Sequence, residues 1–223
     1  CPKCQGNKRE EWIQARESDL IKVPYYHLVF TLPSELYDLC LRHKAMSYAL
    51  LFKTAWSVIQ SFADNPQFIG AKAGMIAILH TWGQNLSYHP HVHCIVPGGG
   101  ITPSGKWRGA RAKDKFLFPV KAMSKVFRAR FIAELRKQEG IIVSQATAKK
   151  LFSKNWVVYC KRPFFGPQQV IEYLGRYTHK VAISNHRLMK IEEGKVSFSA
   201  KDYRHGGKKI MVTLSEEEFI RRF

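Results

Sequence analysis

The segment from residue 73 to residue 100 restricts the fold more than any other part of the chain. It predicts one strand over 73–82, a turn over 83–88 and a second strand over 91–97, which three glycines end. A connection this short joins antiparallel strands, because parallel strands need a crossover of a dozen or more residues. The centre of the chain is therefore expected to be a β-hairpin.

The remaining pattern places this hairpin in an α+β fold. A β-branched and aromatic run over 23–32 predicts a buried strand, and Pro33 and Ser34 end it and begin a helix that extends to about residue 63. Further helices are predicted over 120–137, over 168–178 and from Ser215, where Glu218 completes a capping box, and further strands over 156–160, 181–184, 196–199 and 210–214. We expect a central, largely antiparallel sheet with helices packed on it, of the ferredoxin-like or split βαβ type.

The chain carries a large excess of positive charge. Its 36 lysines and arginines exceed its 17 aspartates and glutamates by 19, and they are spread along the whole sequence. Such a surplus favours a polyanionic partner, and the accompanying aromatic residues indicate nucleic acid. No apolar run is long enough for a transmembrane helix, and neither a signal peptide nor a membrane-surface amphipathic helix is evident, so no membrane partner is expected.

The five cysteines indicate a reducing compartment rather than a disulfide framework, because their number is odd and their spacing is irregular. Cys1 and Cys4 have the spacing of half a tetrahedral Zn²⁺ site. We interpret residues 1–20 as the remnant of a zinc-binding module with a linker. Residues 21–223 then form the domain that carries the chemistry.

Four histidines are concentrated on the central hairpin. His91 and His93 are two positions apart on a predicted strand and therefore lie on one face, while the residue between them points into the core. Two imidazoles on one face form a natural pair of ligands for a divalent metal ion. His80, on the pairing strand, is the expected third ligand. Gln84, nearer the turn, is the second choice, and His89 is a further option.

A second group of residues favours the cleavage of phosphodiesters. Tyr173 and Tyr177 are four positions apart on a predicted helix, so their phenols lie on one face, with Arg176 and Lys180 nearby. A tyrosine that attacks phosphorus forms a phosphotyrosine and conserves the bond energy, so a later 3′-hydroxyl can reverse the step without ATP. A phenol is a weak nucleophile near neutral pH and needs a metal ion or a base beside it. The histidine strand and the tyrosine helix are therefore expected to meet at one site.

Three motifs together resemble a known family. The chain carries, in order, FTLP at a strand end, HPHVHCIVPGGG and RPFFGPQQVIEYLGRYTHKVAISN. Together these are similar to the two-tyrosine HUH transposases of rolling-circle bacterial insertion sequences, relatives of the Helitron and plasmid replication-initiator nucleases. The resemblance spans residues 1–223. It implies an HUH-endonuclease architecture, a Mg²⁺ or Mn²⁺ ion held by His91 and His93, and 5′-phosphotyrosine links formed by Tyr173 and Tyr177.

The resemblance also implies partners and a location. It implies a bacterial, cytoplasmic, nucleoid-associated protein that acts on single-stranded or hairpin DNA at the ends of a mobile element and on target DNA. The family carries a cysteine-rich zinc module before the nuclease domain, and Cys1 and Cys4 match its last two ligands. The sequence contains no P-loop motif, so neither a helicase domain nor a nucleotide cofactor is expected.

Several basic and aromatic residues are candidates for contact with DNA. Proteins that bind single strands combine aromatic stacking with a basic groove, and both the basic loop from Lys106 to Lys115 and the surroundings of the tyrosine helix offer such residues. We single out Trp107, Arg108, Arg111, Lys113, Arg162, Arg176, His179 and Lys180, and we also consider Trp82, Tyr88, Lys161, Phe164 and Phe165.

Other functions are compatible with the same motifs. A plasmid replication initiator or relaxase would use the same chemistry on a plasmid origin. An inactive HUH module would bind hairpins without cutting them, and a phosphodiesterase would use metal-activated water with the tyrosines in its core. Intact His91, His93, Tyr173 and Tyr177 argue against the inactive module. The identity of the nicked DNA, rather than the residues of the site, would separate the transposase from an initiator or relaxase.

Overall fold

A four-stranded antiparallel sheet forms the centre of the molecule. The computed structural model describes residues 6–17, 20–111, 117–161, 169–170, 173, 183–202 and 206–222. The strands of this sheet are β1 (Tyr25–Thr31), β2 (Ile76–Trp82), β3 (Tyr88–Pro97) and β6 (Val158–Cys160). Their order across the sheet is β2–β3–β1–β6, and each neighbouring pair is antiparallel. The predicted α+β class and the predicted central hairpin are confirmed.

Alternation along the strands gives this sheet two different faces. On β1, Leu28 and Phe30 are fully buried on the face that meets the helices, whereas His27, which directly precedes Leu28, points to the other face. On β3, Val92 is buried in the same core while His93 faces away from it. We call the second surface the histidine face.

Helices cover the opposite face. They are α2 (Tyr37–Arg42), α3 (Lys44–Asp64), α4 (Val120–Leu135) and α5 (Gln145–Ser153). Phe127 of α4 packs edge-on against Phe30 and Trp156, with ring centroids 5.0 and 5.4 Å away. Each fully buried ring of this kind contributes about 1.5–3 kcal/mol through removal of apolar surface from water.

Three predicted stretches differ in the structure. The single helix expected from Ser34 to about residue 63 is divided, because the backbone of His43 leaves the helical region (φ −125°, ψ 55°) between α2 and α3. Helix α5 was not predicted, although the hydroxyl of Ser144 accepts the N–H of Thr147 as an N-cap. The stretch expected to be only turns contains a short hairpin, β4 (Gly99–Ile101) with β5 (Trp107–Gly109).

A second, three-stranded antiparallel sheet follows. Its strands are β7 (Leu188–Glu192), β8 (Lys195–Asp202) and β9 (Lys208–Ser215), and helix α6 (Glu216–Arg222) comes after them. The N–H of Glu218 donates to the hydroxyl of Ser215, as the capping box predicts. The strand expected over 181–184 is wrong at Ile183 and Ser184, because neither residue belongs to a β-strand. Strand β7 was not predicted.

The turn of the central hairpin packs against this second sheet. Leu86, in the turn between β2 and β3, shares an apolar cluster with Ile183 and Phe198. Its backbone adopts φ +60°, a left-handed conformation that is unfavourable for a leucine and is held here by burial. The guanidinium of Arg187 donates to the carbonyl oxygen of Gln84 and, at 2.8 Å, to that of Ser199.

The N-terminal segment contains helix α1 (Gly6–Glu17), where a linker was expected. Trp12 of this helix packs with Tyr25 and Ile95 on the histidine face. Cys1 and Cys4 lie outside the described residues. Within the described part of the chain, no helix is both long and apolar enough to cross a bilayer.

Candidate metal and nucleophile site

Three histidines converge on the central hairpin. His80 on β2 is the register partner of His91 on β3, and His93 follows two positions further along the same face. One ring nitrogen from each of the three lies within 4.8 Å of the others. His80 and His93 are buried and His91 is half-buried. Side chains this close form a set that can hold one metal ion.

The second-choice ligands have other partners. Gln84 lies in the turn, beyond the end of β2, and its carbonyl oxygen accepts from Arg187. The Nδ1 atom of His89 is 2.7 Å from the hydroxyl of Tyr37. The described residues therefore bring together His80 with the two histidines of β3, and neither Gln84 nor His89 belongs to the group.

Hydrogen bonds orient the imidazoles. The Nδ1–H of His91 donates to the carbonyl oxygen of His89 at 2.6 Å, which leaves Nε2 with a lone pair. Nδ1 of His93 is 2.8 Å from Nε2 of His27. The His93 ring therefore uses Nδ1 for this contact, and its Nε2 atom points away from His27. Fixing one nitrogen of a ligand by a hydrogen bond is the usual way in which proteins orient a metal-binding histidine.

Burial keeps these rings neutral. Desolvation, together with the neighbouring imidazoles, lowers the pKa of His91 to about 4 and that of His93 to about 2. Desolvation and the charge of Lys161 lower the pKa of His27 to about 4. Only the neutral imidazole can bind a metal ion, so the rings of His91 and His93 can accept a cation at neutral pH without first losing protons.

Tyr173 lies against the same face. Its hydroxyl is 3.2 Å from Nδ1 and 3.4 Å from Nε2 of His27, and the two ring centroids are 4.8 Å apart. The His27 ring stacks parallel to that of His93, with centroids 5.0 Å apart. One side chain therefore separates the phenol from the histidine group. Tyr177 lies outside the described residues.

His27 is a site residue that sequence reasoning missed. It stands on β1 within YYHLVFT, where a single histidine in an apolar run gave no spacing signal. Its position relative to the hairpin depends on β1 pairing with β3, with His27 opposite Ile95. The alternation of side chains along β1 could have indicated His27, because it places His27 on the face opposite to the core that contains Leu28.

The described residues of the predicted basic loop from Lys106 to Lys115 lie away from the histidines. Trp107 and Arg108 belong to the β4–β5 hairpin, which follows Pro97, the fourth residue after His93 and therefore about 13 Å along β3. The Arg108 guanidinium donates to the carbonyl oxygen of Gly70, and Arg111 is exposed. The structure does not bring this group to the histidine face.

Of the other predicted residues, Trp82, Tyr88 and Lys161 belong to the described part of the chain, and Lys161 is exposed near His27. Trp82 stacks on His80, with centroids 5.4 Å apart, and the hydroxyl of Tyr88 is 3.0 Å from that of Tyr48. The following predicted residues lie outside the described part of the chain: Lys113, Arg162, Phe164, Phe165, Arg176, His179 and Lys180.

Comparison with known proteins identifies the family. Residues 74–223 match the family model described as "Putative transposase", which covers more than half of the chain. The chain belongs to this transposase family. Residues 1–32 match a second model, described as "Transposase zinc-binding domain". The resemblance to insertion-sequence transposases is thereby confirmed.

Two curated relatives are similar along the whole of this chain. A Sinorhizobium fredii protein named "Putative transposase y4qJ" is 43% identical over 239 residues, which are 100% of this chain and 60% of the relative. The "Transposase for insertion sequence element IS801" of Pseudomonas savastanoi pv. phaseolicola is 26% identical over 234 residues, which are 100% of this chain and 55% of the relative. The chain thus spans less than two thirds of the length of these relatives.

Proposed function

We propose that this transposase cuts and rejoins single-stranded DNA at the ends of a rolling-circle element, with Tyr173 and Tyr177 as nucleophiles. The observation that carries this proposal is the position of the Tyr173 hydroxyl, which contacts His27 while His27 contacts His93. A tyrosine that served only to fill the core would not need its oxygen beside a histidine group able to bind a metal ion. Membership of a transposase family supports the same chemistry.

The histidine group fits a divalent cation. Three imidazoles with ring nitrogens within 4.8 Å of one another supply three nitrogen ligands, from His80, His91 and His93. Of the two cations expected from the sequence, Mn²⁺ accepts nitrogen ligands more readily than Mg²⁺, which prefers carboxylate and water oxygens. When bound, the cation would polarise the scissile phosphate and stabilise its developing negative charge.

The residues of the chain supply the nucleophile and its orientation. The phenol of Tyr173 loses its proton to water, and its oxygen then forms a bond to phosphorus. The bond between phosphorus and the 3′ oxygen breaks, and that oxygen takes up a proton to become a free 3′-hydroxyl. The product is a 5′-phosphotyrosine. Tyr177 would repeat the reaction on a second strand, and attack by a 3′-hydroxyl on either link would rejoin DNA.

The proposed setting follows from charge and from the zinc-domain match. A surplus of 19 positive charges suits single-stranded or hairpin DNA and target DNA, in the nucleoid of a bacterial cytoplasm. Cys1 and Cys4 are proposed as two of the ligands of a Zn²⁺ site. Residues 1–20 would then belong to that module and residues 21–223 to the HUH nuclease domain.

A covalent-adduct assay tests the proposal. The protein is incubated with end-labelled single-stranded oligonucleotides that carry element ends, with Mn²⁺ or Mg²⁺, and is then separated on a denaturing protein gel. We expect a labelled adduct that the double variant Tyr173→Phe, Tyr177→Phe does not form and that His91→Ala does not form. Tyr48→Phe, which removes a hydroxyl on α3, is the matched control and should form adduct normally.

Other outcomes would point to other functions. Cleavage products without an adduct would indicate activated water as the nucleophile and would refute the tyrosine mechanism. Binding without cleavage would indicate an inactive hairpin-binding module. Cutting confined to a plasmid origin would indicate a replication initiator or relaxase.

A further inference from the structure

His27 touches both the histidine group and a proposed nucleophile. Its ring is buried, 4% exposed, at the middle of the sheet. Nε2 is 2.8 Å from Nδ1 of His93, and Nδ1 is 3.2 Å from the hydroxyl of Tyr173. We propose, on the basis of the proposed function, that His27 is a positioning residue that connects the metal-binding histidines to Tyr173.

The direction of the hydrogen bonds follows from the side of His93 that binds the cation. When Nε2 of His93 is the ligand, Nδ1 carries the proton and donates it to Nε2 of His27. A neutral His27 then carries its own proton on Nδ1, the nitrogen nearer to the Tyr173 oxygen. That N–H donates to the phenolic oxygen, so it aims the nucleophile and stabilises its charge as the phenol ionises.

Two variants of His27 separate its two contacts. In His27→Gln the amide lies near the former Nε2 and can still accept from His93. In His27→Asn the amide lies near the former Nδ1 and can still donate to Tyr173. His27→Ala keeps neither contact. Mn²⁺ affinity, measured by calorimetry without DNA, should fall roughly 10-fold in the alanine variant and stay near wild type in the glutamine variant.

The rate of adduct formation tests the contact with the nucleophile. In a Tyr177→Phe background only Tyr173 reacts, and His27→Ala should slow it on the order of 100-fold, with partial rescue by His27→Asn. In a Tyr173→Phe background the same change should slow Tyr177 much less. Equal losses in both backgrounds would overturn the positioning role. If the protein with an intact His27 forms no adduct at either tyrosine, the proposed function fails as well.

A second inference concerns the edge strand β6. The side chains of Val158 and Cys160 are buried in the helix-side core, so alternation turns Tyr159 to the histidine face, where it is 53% exposed. Register places Tyr159 beside Val29, and Val29 beside His93. Two strand spacings therefore separate Tyr159 from His93, a distance of about 10 Å.

This position suits a single-stranded nucleic acid. An exposed phenol ring next to the histidine group offers a surface for a base, and stacking is how single strands are held in a sequence-tolerant way. Lys161 follows on the same side of β6 and is exposed, and it supplies a cation for a neighbouring phosphate. We infer that Tyr159 stacks on a base that flanks the scissile phosphate, which also rests on the proposed function.

Binding measurements without a cation test this second inference. Tyr159→Ala should weaken binding of a single-stranded oligonucleotide roughly 5- to 100-fold, while Tyr159→Trp retains it and duplex of the same sequence binds unchanged. Phe152→Ala, which removes another exposed ring on α5, is the matched control. Unchanged single-strand affinity, or an equal loss with duplex, would refute the stacking role. Because this readout needs no cleavage, it is independent of whether adducts form.

Discussion

His80 and His91 are register partners on β2 and β3, and their ring centroids lie 5.4 Å apart with the rings nearly perpendicular. Antiparallel pairing alone brings them together, because directly opposed residues on one face are neighbours. A shift of one residue in the register would send one of the two rings to the helix-side core. The proposed metal site thus depends on the pairing of one hairpin.

Removal of a hairpin histidine should abolish the stabilisation that a metal ion provides. We expect Mn²⁺ to raise the melting temperature of the wild type in thermal denaturation, since a ligand that binds only the folded state stabilises it. His80→Ala and His93→Ala should show little or no increase. His186→Ala, an exposed histidine outside the group, should respond like the wild type. An undiminished response in His80→Ala would exclude His80 as a ligand.

The metal-free protein should lose stability in mildly acidic solution. The pKa values of His27 and His91 are lowered from about 6.5 to about 4 in the folded state, so the unfolded chain binds more protons between these values. The free energy of unfolding should therefore fall as pH drops from 6.5 towards 4, by up to about 1.4 kcal/mol per pH unit for each histidine. Urea denaturation in EDTA measures this slope. His91→Gln should reduce this slope by the contribution of one histidine, whereas His186→Gln should leave it unchanged.

Phe127→Ala should be strongly destabilising. The ring is fully buried between Phe30 and Trp156, and truncation leaves a cavity in a packed core. The expected loss is about 3–5 kcal/mol, measured by guanidinium denaturation. Phe152→Ala removes a ring that is 43% exposed and should cost much less. Similar losses for the two variants would contradict the packing described for α4.

Gly99→Ala should disturb the β4–β5 hairpin. A Cβ atom at this position would lie 2.4 Å from the ring of Trp107 and 2.5 Å from the carbonyl oxygen of Arg108. The ring and backbone must shift, at a cost of roughly 1–3 kcal/mol, and the fluorescence of Trp107 should change. Gly109→Ala is the matched control, because its register partner is Gly99 and a Cβ atom there meets nothing within 4 Å.

Local patterns predicted the hairpin well and the longer-range contacts poorly. His91 and His93 were found because period-two spacing on a strand is visible in the sequence, and His80 because a short turn fixes its pairing. His27 was missed because it joins the group only through the pairing of β1 with β3, which the chain forms across more than sixty residues. Sequence periodicity carries no information about such pairing.

Two local signals were also misread. The long predicted helix is interrupted at His43, where neither proline nor glycine marks a break. The stretch after the three glycines is basic and polar, which is typical of turns. In the structure β4 and β5 nevertheless pair as a short antiparallel ladder, and the ring of Trp107 packs against Gly99. In both places tertiary packing, rather than local propensity, determines the backbone.

The apolar packing of Leu86 and the hydrogen bond donated by Arg187 join the tip of the histidine hairpin to the C-terminal sheet. A hairpin with a free tip would fray from that end, where His80 and His91 are paired. By anchoring the tip, β7–β9 and α6 help to hold the imidazoles in position, although none of their described residues belongs to the histidine group. Mutations far along the sequence, in strands whose described residues supply none of the three clustered histidines, are therefore expected to weaken cation binding at the proposed site.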